Sequence, residues 1–185
     1  VDLILRTNRL GVKDADLFMY ISEAGNEVDL KAEHINQYIR ATSGEGFTAK
    51  NFRTWGATYR CAERLAFLAQ PHNEKDMKQW LRTLPNVESI HKLWSEGDWE
   101  VPTTDSGRTK AMLAVIDTVA ADLGNTRIVC RSSYIHPWFL DAWMEERLLE
   151  VWTDVASLRR ISGLSAGESA TLRVLKNLRD GTSSS

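Results

Sequence analysis

The sequence predicts a mainly α-helical fold with a small β element near the N-terminus. Three observations carry that expectation. Apolar residues recur at helical spacing over much of the chain, as at Ile35, Tyr38 and Ile39, or Met112, Ile116, Val119 and Ala120. Helix-ending residues such as Gly44, Pro71, Gly124 and Gly163 stand where those patterns stop. By contrast, "LFMYISEAGNEVDL" (17–30) reads as two short extended runs around a turn at Glu23-Ala24-Gly25-Asn26.

Residues 3–12 carry apolar side chains with bases between them, which fits the end of a helix or an edge segment. A helix begins at Lys31 and stops at Thr42-Ser43-Gly44. Thr48 is a suitable N-cap for a long helix carrying Phe52, Trp55, Tyr59, Ala62, Leu65 and Ala66, ended by Pro71. Residues 71–108 are punctuated by Pro71, Pro85, Pro102, Gly97 and Gly107. "EKDMKQWLRTL" and "VESIHKLW" read there as short helices, with Trp80, Trp94 and Trp99 available to pack. Helix resumes over Thr109–Leu123, with Gly124 as its cap. "LDAWMEERLLEVWTDVASLRRI" (140–161) reads as one helical run ended by Gly163, with Leu158 in its apolar set. "SAGESATLRVLKNLR" opens on a capping-box pattern, Ser165 and Glu168. Residues 181–185 are expected to be a disordered tail.

Composition narrows the function. With 43% hydrophobic and 26% charged residues the chain fits a soluble globular domain. No apolar run reaches the roughly 20 residues that span a bilayer, and no signal peptide is legible. Cys61 and Cys130 are isolated thiols without metal-ligand spacing, which favours a reducing, intracellular setting. The four histidines, His34, His72, His91 and His136, form no helical pair, so no metal site is expected. The glycines form neither a P-loop nor a dinucleotide fingerprint, so no cofactor is expected. The net charge is −2, yet residues 31–70 hold six bases against three acids. The overall charge argues against a nonspecific nucleic-acid coat protein, yet leaves room for a local basic face.

Two stretches carry candidate chemistry. In "GFTAKNFRTWGATY" (46–59), Lys50 and Arg53 lie three apart, on one face of the helix start. Together with Arg60 and Arg64 they read either as a solvated face or as phosphate ligands, because a guanidinium fork matches phosphate oxygens. In "NTRIVCRSSYIHPWF" (125–139), Tyr134 reads either as a packed tyrosine or as a nucleophile. A tyrosine hydroxyl, with an ordinary pKa of about 10, needs cationic or hydrogen-bonding neighbours for that second role.

"INQYIR…GFTAKNFRTW" together with "ADLGNTRIVCRSSYIHP" closely resembles the C-terminal catalytic domain of type IB DNA topoisomerases of the bacterial and poxvirus-like kind. The resemblance extends over 16–39 and "GLSAGESATLRVL", covering most of the chain outside 71–108. It implies the helical catalytic fold shared by DNA breaking-rejoining enzymes. By position it makes Tyr134 the nucleophile that forms a 3′-phosphotyrosyl link, and Arg53 the ligand of the scissile phosphate. Asn125 stands nine residues before Tyr134, where the family carries His or Asn, and would donate to the same phosphate. Lys50 would assist with phosphate contact or proton delivery. The implied partner is double-stranded DNA, without ATP or metal.

The departures also shape the expectation. The family uses a further arginine and a β-hairpin lysine, neither of which has a motif match before Arg53, so a fragment with weak or no activity alone is expected. Arg127 and Ser132 stand where Pro and Lys are expected. Residues 71–108 exceed the family connection by roughly thirty residues, an unusual length for a plain loop. The organisation expected is one catalytic domain over 1–180, with 71–108 inserted, acting as a monomer in the cytoplasm at the nucleoid. A tyrosine recombinase shares the fold and nucleophile but carries His-x-x-Arg where this chain has Lys50-Asn51-Phe52-Arg53. A non-catalytic DNA-binding domain of the same fold is the remaining alternative.

Overall fold

The structure, a computed structural model, describes residues 3–5 and 18–181. The chain divides into two compact units, Val1–Phe52 and Arg53–Ser185. The expectations for 6–17 and for the tail beyond Gly181 lie outside the described residues.

The first unit holds a three-stranded antiparallel sheet, β1 (Leu3–Leu5), β2 (Phe18–Ile21) and β3 (Glu27–Asp29), in that order. Leu3–Leu5 is thus an edge strand and not a helix end. Leu3 faces Tyr20 in the first ladder, and Tyr20 faces Val28 in the second. The β2–β3 connection is the expected turn: Gly25 has φ 79°, and the Ser22 N–H donates to the Asn26 carbonyl at 2.9 Å. Helix α1 (Ala32–Ser43) follows, and the Gly44 N–H closes it on the Arg40 carbonyl. Ile35 and Tyr38, expected on its apolar face, are exposed. Helix α2 (Ala49–Leu68) begins in this unit, where the Asn51 carboxamide oxygen accepts from both the N–H and the hydroxyl of Thr48.

The described regular elements of the second unit are helices, apart from an isolated bridge between His72 and Trp99. Beyond α2 it contains α3 (Glu74–Leu81), α4 (Glu88–Leu93), α5 (Asp105–Asp122), α6 (Arg127–Ser133), α7 (Pro137–Met144), α8 (Leu148–Ala156) and α9 (Ala166–Arg179). Its core gathers Leu65 and Leu68 of α2, Val115, Ile116 and Val119 of α5, and Phe139 and Trp143 of α7. Helix α5 starts earlier than the apolar pattern shows, because the Thr104 hydroxyl caps it by accepting from the Gly107 N–H.

Residues 71–108 are packed into this core. Met77, Ile90, Trp94 and Trp99 are buried. The Phe67 ring of α2 stacks on both His72 and Trp80, with centroids 3.8 and 4.1 Å away. The Trp99 indole N–H donates to the Leu68 carbonyl.

One expectation is overturned. The run 140–161 is not one helix: α7 and α8 are separated at Glu145–Arg147. Glu146 adopts φ 61°, its N–H donates to the Trp143 carbonyl, and the Arg147 N–H reaches the Ala142 carbonyl. That is a Schellman ending with a glutamate where glycine is usual. The Glu146 carboxylate meets the Arg108 guanidinium at 2.6 Å, an attraction that offsets the cost of left-handed backbone at a residue with a Cβ. Leu158 then falls beyond α8 and is exposed.

Candidate functional site

Helix α2 carries Arg53, α5 ends beside Asn125, and α6 ends at Tyr134. Each position follows from local chemistry. Gly124 has φ 64° and its N–H donates to the Ala121 carbonyl, while the Asn125 N–H donates to the Ala120 carbonyl at 2.8 Å. Asn125 is therefore the last member of a Schellman motif, with its backbone fixed by the helix end. Thr126 then caps α6, its hydroxyl accepting from the Val129 N–H at 3.3 Å. Tyr134 is the C-cap, with its N–H on the Cys130 carbonyl. Pro137 opens α7 immediately afterwards, so the chain turns sharply at residues 134–136.

Arg53 bridges the two ends of α6. Its Nη2 donates to the Leu123 carbonyl at 2.7 Å, two residues before Asn125. Its guanidinium carbon lies 5.4 Å from the centroid of the Tyr134 ring, within cation–π range. The Asn125 side-chain nitrogen is buried and has no hydrogen-bond partner. A buried donor without an acceptor costs about 1–3 kcal/mol, so the position is held by the fold against that cost. Lys50 lies in the first unit, exposed on the first turn of α2.

The base-rich face of α2 is not uniformly solvated. Arg64 is buried and donates to the Thr118 hydroxyl at 2.8 Å and to the Asp122 carboxylate. Asp122 in turn accepts from the Asn86 side chain at 2.8 Å. Arg60 lies over the Tyr59 ring at 5.1 Å. Eleven residues, close to three full turns, separate Arg53 from Arg64 and place them on one face of the helix. That spacing signals a shared face but not the acid it meets, which comes from a different helix.

Two further groups border Tyr134. Thr58 is buried, and its hydroxyl donates to the Tyr134 carbonyl at 3.0 Å and accepts from the His136 N–H at 3.2 Å. Nothing in the sequence pattern points to this threonine. Cys130, one turn before Tyr134, has its thiol pushed up to about 11 by burial, against the downward pull of the Arg53 guanidinium. Burial also raises Cys61, with Cys130 as a further raising influence. Both thiols are thus poor nucleophiles at neutral pH. Burial lowers the His136 imidazole, so the neutral ring is favoured next to the turn.

Among the described residues no group of His, Cys, Asp or Glu is arranged to hold a metal ion, and no helix is long and apolar enough to cross a membrane. The arrangement brings one fixed cation, one unpartnered buried donor and a phenol to the ends of a seven-residue helix. Such a set can bind an anion and present a hydroxyl to it.

No curated protein matches the chain. Residues 7–146 match the family described as eukaryotic DNA topoisomerase I, catalytic core. That match spans well over half of the sequence and includes Arg53, Asn125 and Tyr134, so the chain belongs to the DNA topoisomerase I catalytic-core family, type I isomerases whose substrate is DNA.

Proposed function

We propose that this chain carries the cleavage-religation centre of a type IB enzyme, with Tyr134 as nucleophile. The observation that supports it best is the pairing of the Arg53 guanidinium with the Tyr134 ring, beside a buried Asn125 donor that has no partner. A DNA phosphodiester placed there would supply the missing acceptor for Asn125 and two oxygens for the guanidinium fork. The Tyr134 hydroxyl oxygen attacks phosphorus. The new P–O bond joins the tyrosine to the 3′ side, the bond to the 5′ oxygen breaks, and that oxygen leaves with a proton. The phenol's own proton passes to solvent or a neighbouring base. Arg53 and Asn125 stabilise the charge on the non-bridging oxygens as the five-coordinate state forms. Religation is the reverse. The phosphotyrosyl ester keeps the bond energy, so supercoils relax without ATP.

Lys50 enters this reading through the Lys50-Asn51-Phe52-Arg53 motif, as a helper in phosphate contact or proton delivery. The same two motifs support placement in the bacterial and poxvirus-like branch. The proposal includes one catalytic domain over 1–180 with 71–108 inserted, a monomer acting on double-stranded DNA at the nucleoid. It also expects residues 1–185 alone to relax DNA weakly or not at all, because the family chemistry calls for a further arginine and a lysine acid.

The test is plasmid relaxation by the full-length protein in EDTA without ATP. Wild type is expected to relax supercoils and to leave a covalent adduct on the 3′ end after detergent quenching. Tyr134→Phe is expected to lose both. Relaxation that survives Tyr134→Phe, or that requires ATP or a divalent cation, would reject the mechanism.

A further inference from the structure

We propose that Thr58 is the positioning residue that sets the backbone of the nucleophile. This rests on reading Tyr134 as the attacking group. The junction from α6 to α7 leaves two backbone groups exposed to loss of partner. The Tyr134 carbonyl lies past the end of α6, and the His136 N–H precedes a helix that opens with proline. Helix termini leave such groups without an intrahelical bond, and burial makes that costly.

One hydroxyl satisfies both. Thr58 Oγ1 donates to the Tyr134 carbonyl at 3.0 Å and accepts from the His136 N–H at 3.2 Å, closing a ring around the buried Ile135. Thr58 is 3% exposed, so water does not compete for these bonds. Its β-branched side chain has few χ1 choices, which keeps the hydroxyl aimed. Arg53 and Thr58 also share helix α2. The guanidinium that meets the Tyr134 ring and the hydroxyl that holds the Tyr134 backbone are therefore set by one rigid element. Displacing the phenol by about 1 Å is enough to slow an in-line attack roughly a hundredfold.

The experiment compares wild type, Thr58→Val, Thr58→Ala, Thr58→Ser and Tyr134→Phe in the full-length protein. Single-turnover cleavage and religation of a duplex oligonucleotide are measured with DNA affinity and melting temperature. Thr58→Val keeps the shape and removes the hydroxyl. Cleavage and religation are expected to slow together, by roughly 10–100-fold, with their ratio and the DNA affinity unchanged. Thr58→Ser, which restores the hydroxyl, is expected to recover most of the rate. If Thr58→Val fails to fold, Thr58→Ala reads the same loss with space to spare. Wild-type cleavage in a folded Val or Ala variant overturns the proposal, as does a Ser variant as slow as Val. Loss of DNA affinity in place of rate also overturns it. An active Tyr134→Phe would instead reject the nucleophile assignment, so the two readings fail separately.

Discussion

Asn125 and Tyr134 sit at opposite ends of α6, and their backbones are held by different chemistry. Beyond its Schellman bonds, the Asn125 end is braced by charge. Arg64 and Asp122, with side chains 5% and 4% exposed, form a buried ion pair just before the Schellman turn, and Thr118 and Asn86 complete their bonding. Beyond the closing bonds of α6 to the Cys130 carbonyl, the Tyr134 end is held by one neutral hydroxyl. The difference matters because a buried charge cannot be left alone, whereas a hydroxyl can be replaced by a methyl of the same shape. Changes at the charged end should therefore be read in stability, and changes at the neutral end in rate.

The largest expected effect follows from removing the acid. Asp122→Ala strands the Arg64 guanidinium in the core and leaves Asn86 without its acceptor. A loss of about 3–5 kcal/mol is expected, measured by urea unfolding at neutral pH. A loss below about 1 kcal/mol would mean that Arg64 finds water or another partner, and the contrast between the two ends would collapse.

Asn86 belongs to 71–108 and gives the smaller, sharper version of that test. It donates to Asp122 from the connection between α3 and α4, while Ser89 of α4 donates to Asp117 at 3.3 Å. Asp117 also receives the Arg127 fork at the start of α6. The longer connection thus braces the acidic residues of α5 that precede Asn125. Asn86→Ala removes one bond to a charged group without stranding an ion, so about 1–2 kcal/mol is expected from the same unfolding curves. An effect as large as that of Asp122→Ala would show that the brace, not the ion pair, fixes this end.

Much of this fold is legible because its signals are local. Ser165 and Glu168 stand three apart and form the capping box seen at α9, and Gly44 and Gly124 end helices where the apolar pattern stops. The candidate residues Arg53, Asn125 and Tyr134 can be picked out because each sits in a short motif with fixed internal spacing. What holds them cannot. Thr58 meets a carbonyl 76 positions away and Arg64 meets an acid 58 positions away, pairings that no periodicity encodes. The break at Glu146 is hidden for another reason: its left-handed backbone is stabilised by Arg108, not by a glycine that a reader of the sequence would notice. The burial of Arg64 is hidden in the same way, since a basic residue on a helix face looks solvated until its acid is located.

A third tether of α2 lies outside both ends and responds to pH. The Trp55 indole N–H donates to the Glu168 carboxylate at 3.1 Å, and the other oxygen of that carboxylate accepts from the Ser165 N–H at 2.8 Å. These bonds, the Ser165 N–H first, hold Glu168 below the usual carboxylate range. A depressed folded pKa means that the stabilisation is full above the unfolded value of about 4.3 and is lost as pH falls through the folded value. Glu168 is only partly buried, so solvent screening keeps the effect small. Glu168→Ala is expected to cost no more than about 1 kcal/mol at pH 7, the size of a lost cap. The gap between variant and wild type in melting temperature is expected to narrow steadily below about pH 4. Relaxation rate at pH 7 should be nearly unchanged, because the Thr58 and Arg53 bonds to the α6 ends remain intact. A variant that is slow yet stable would mean that Trp55 helps set the angle of α2, and with it the approach of Arg53 to Tyr134.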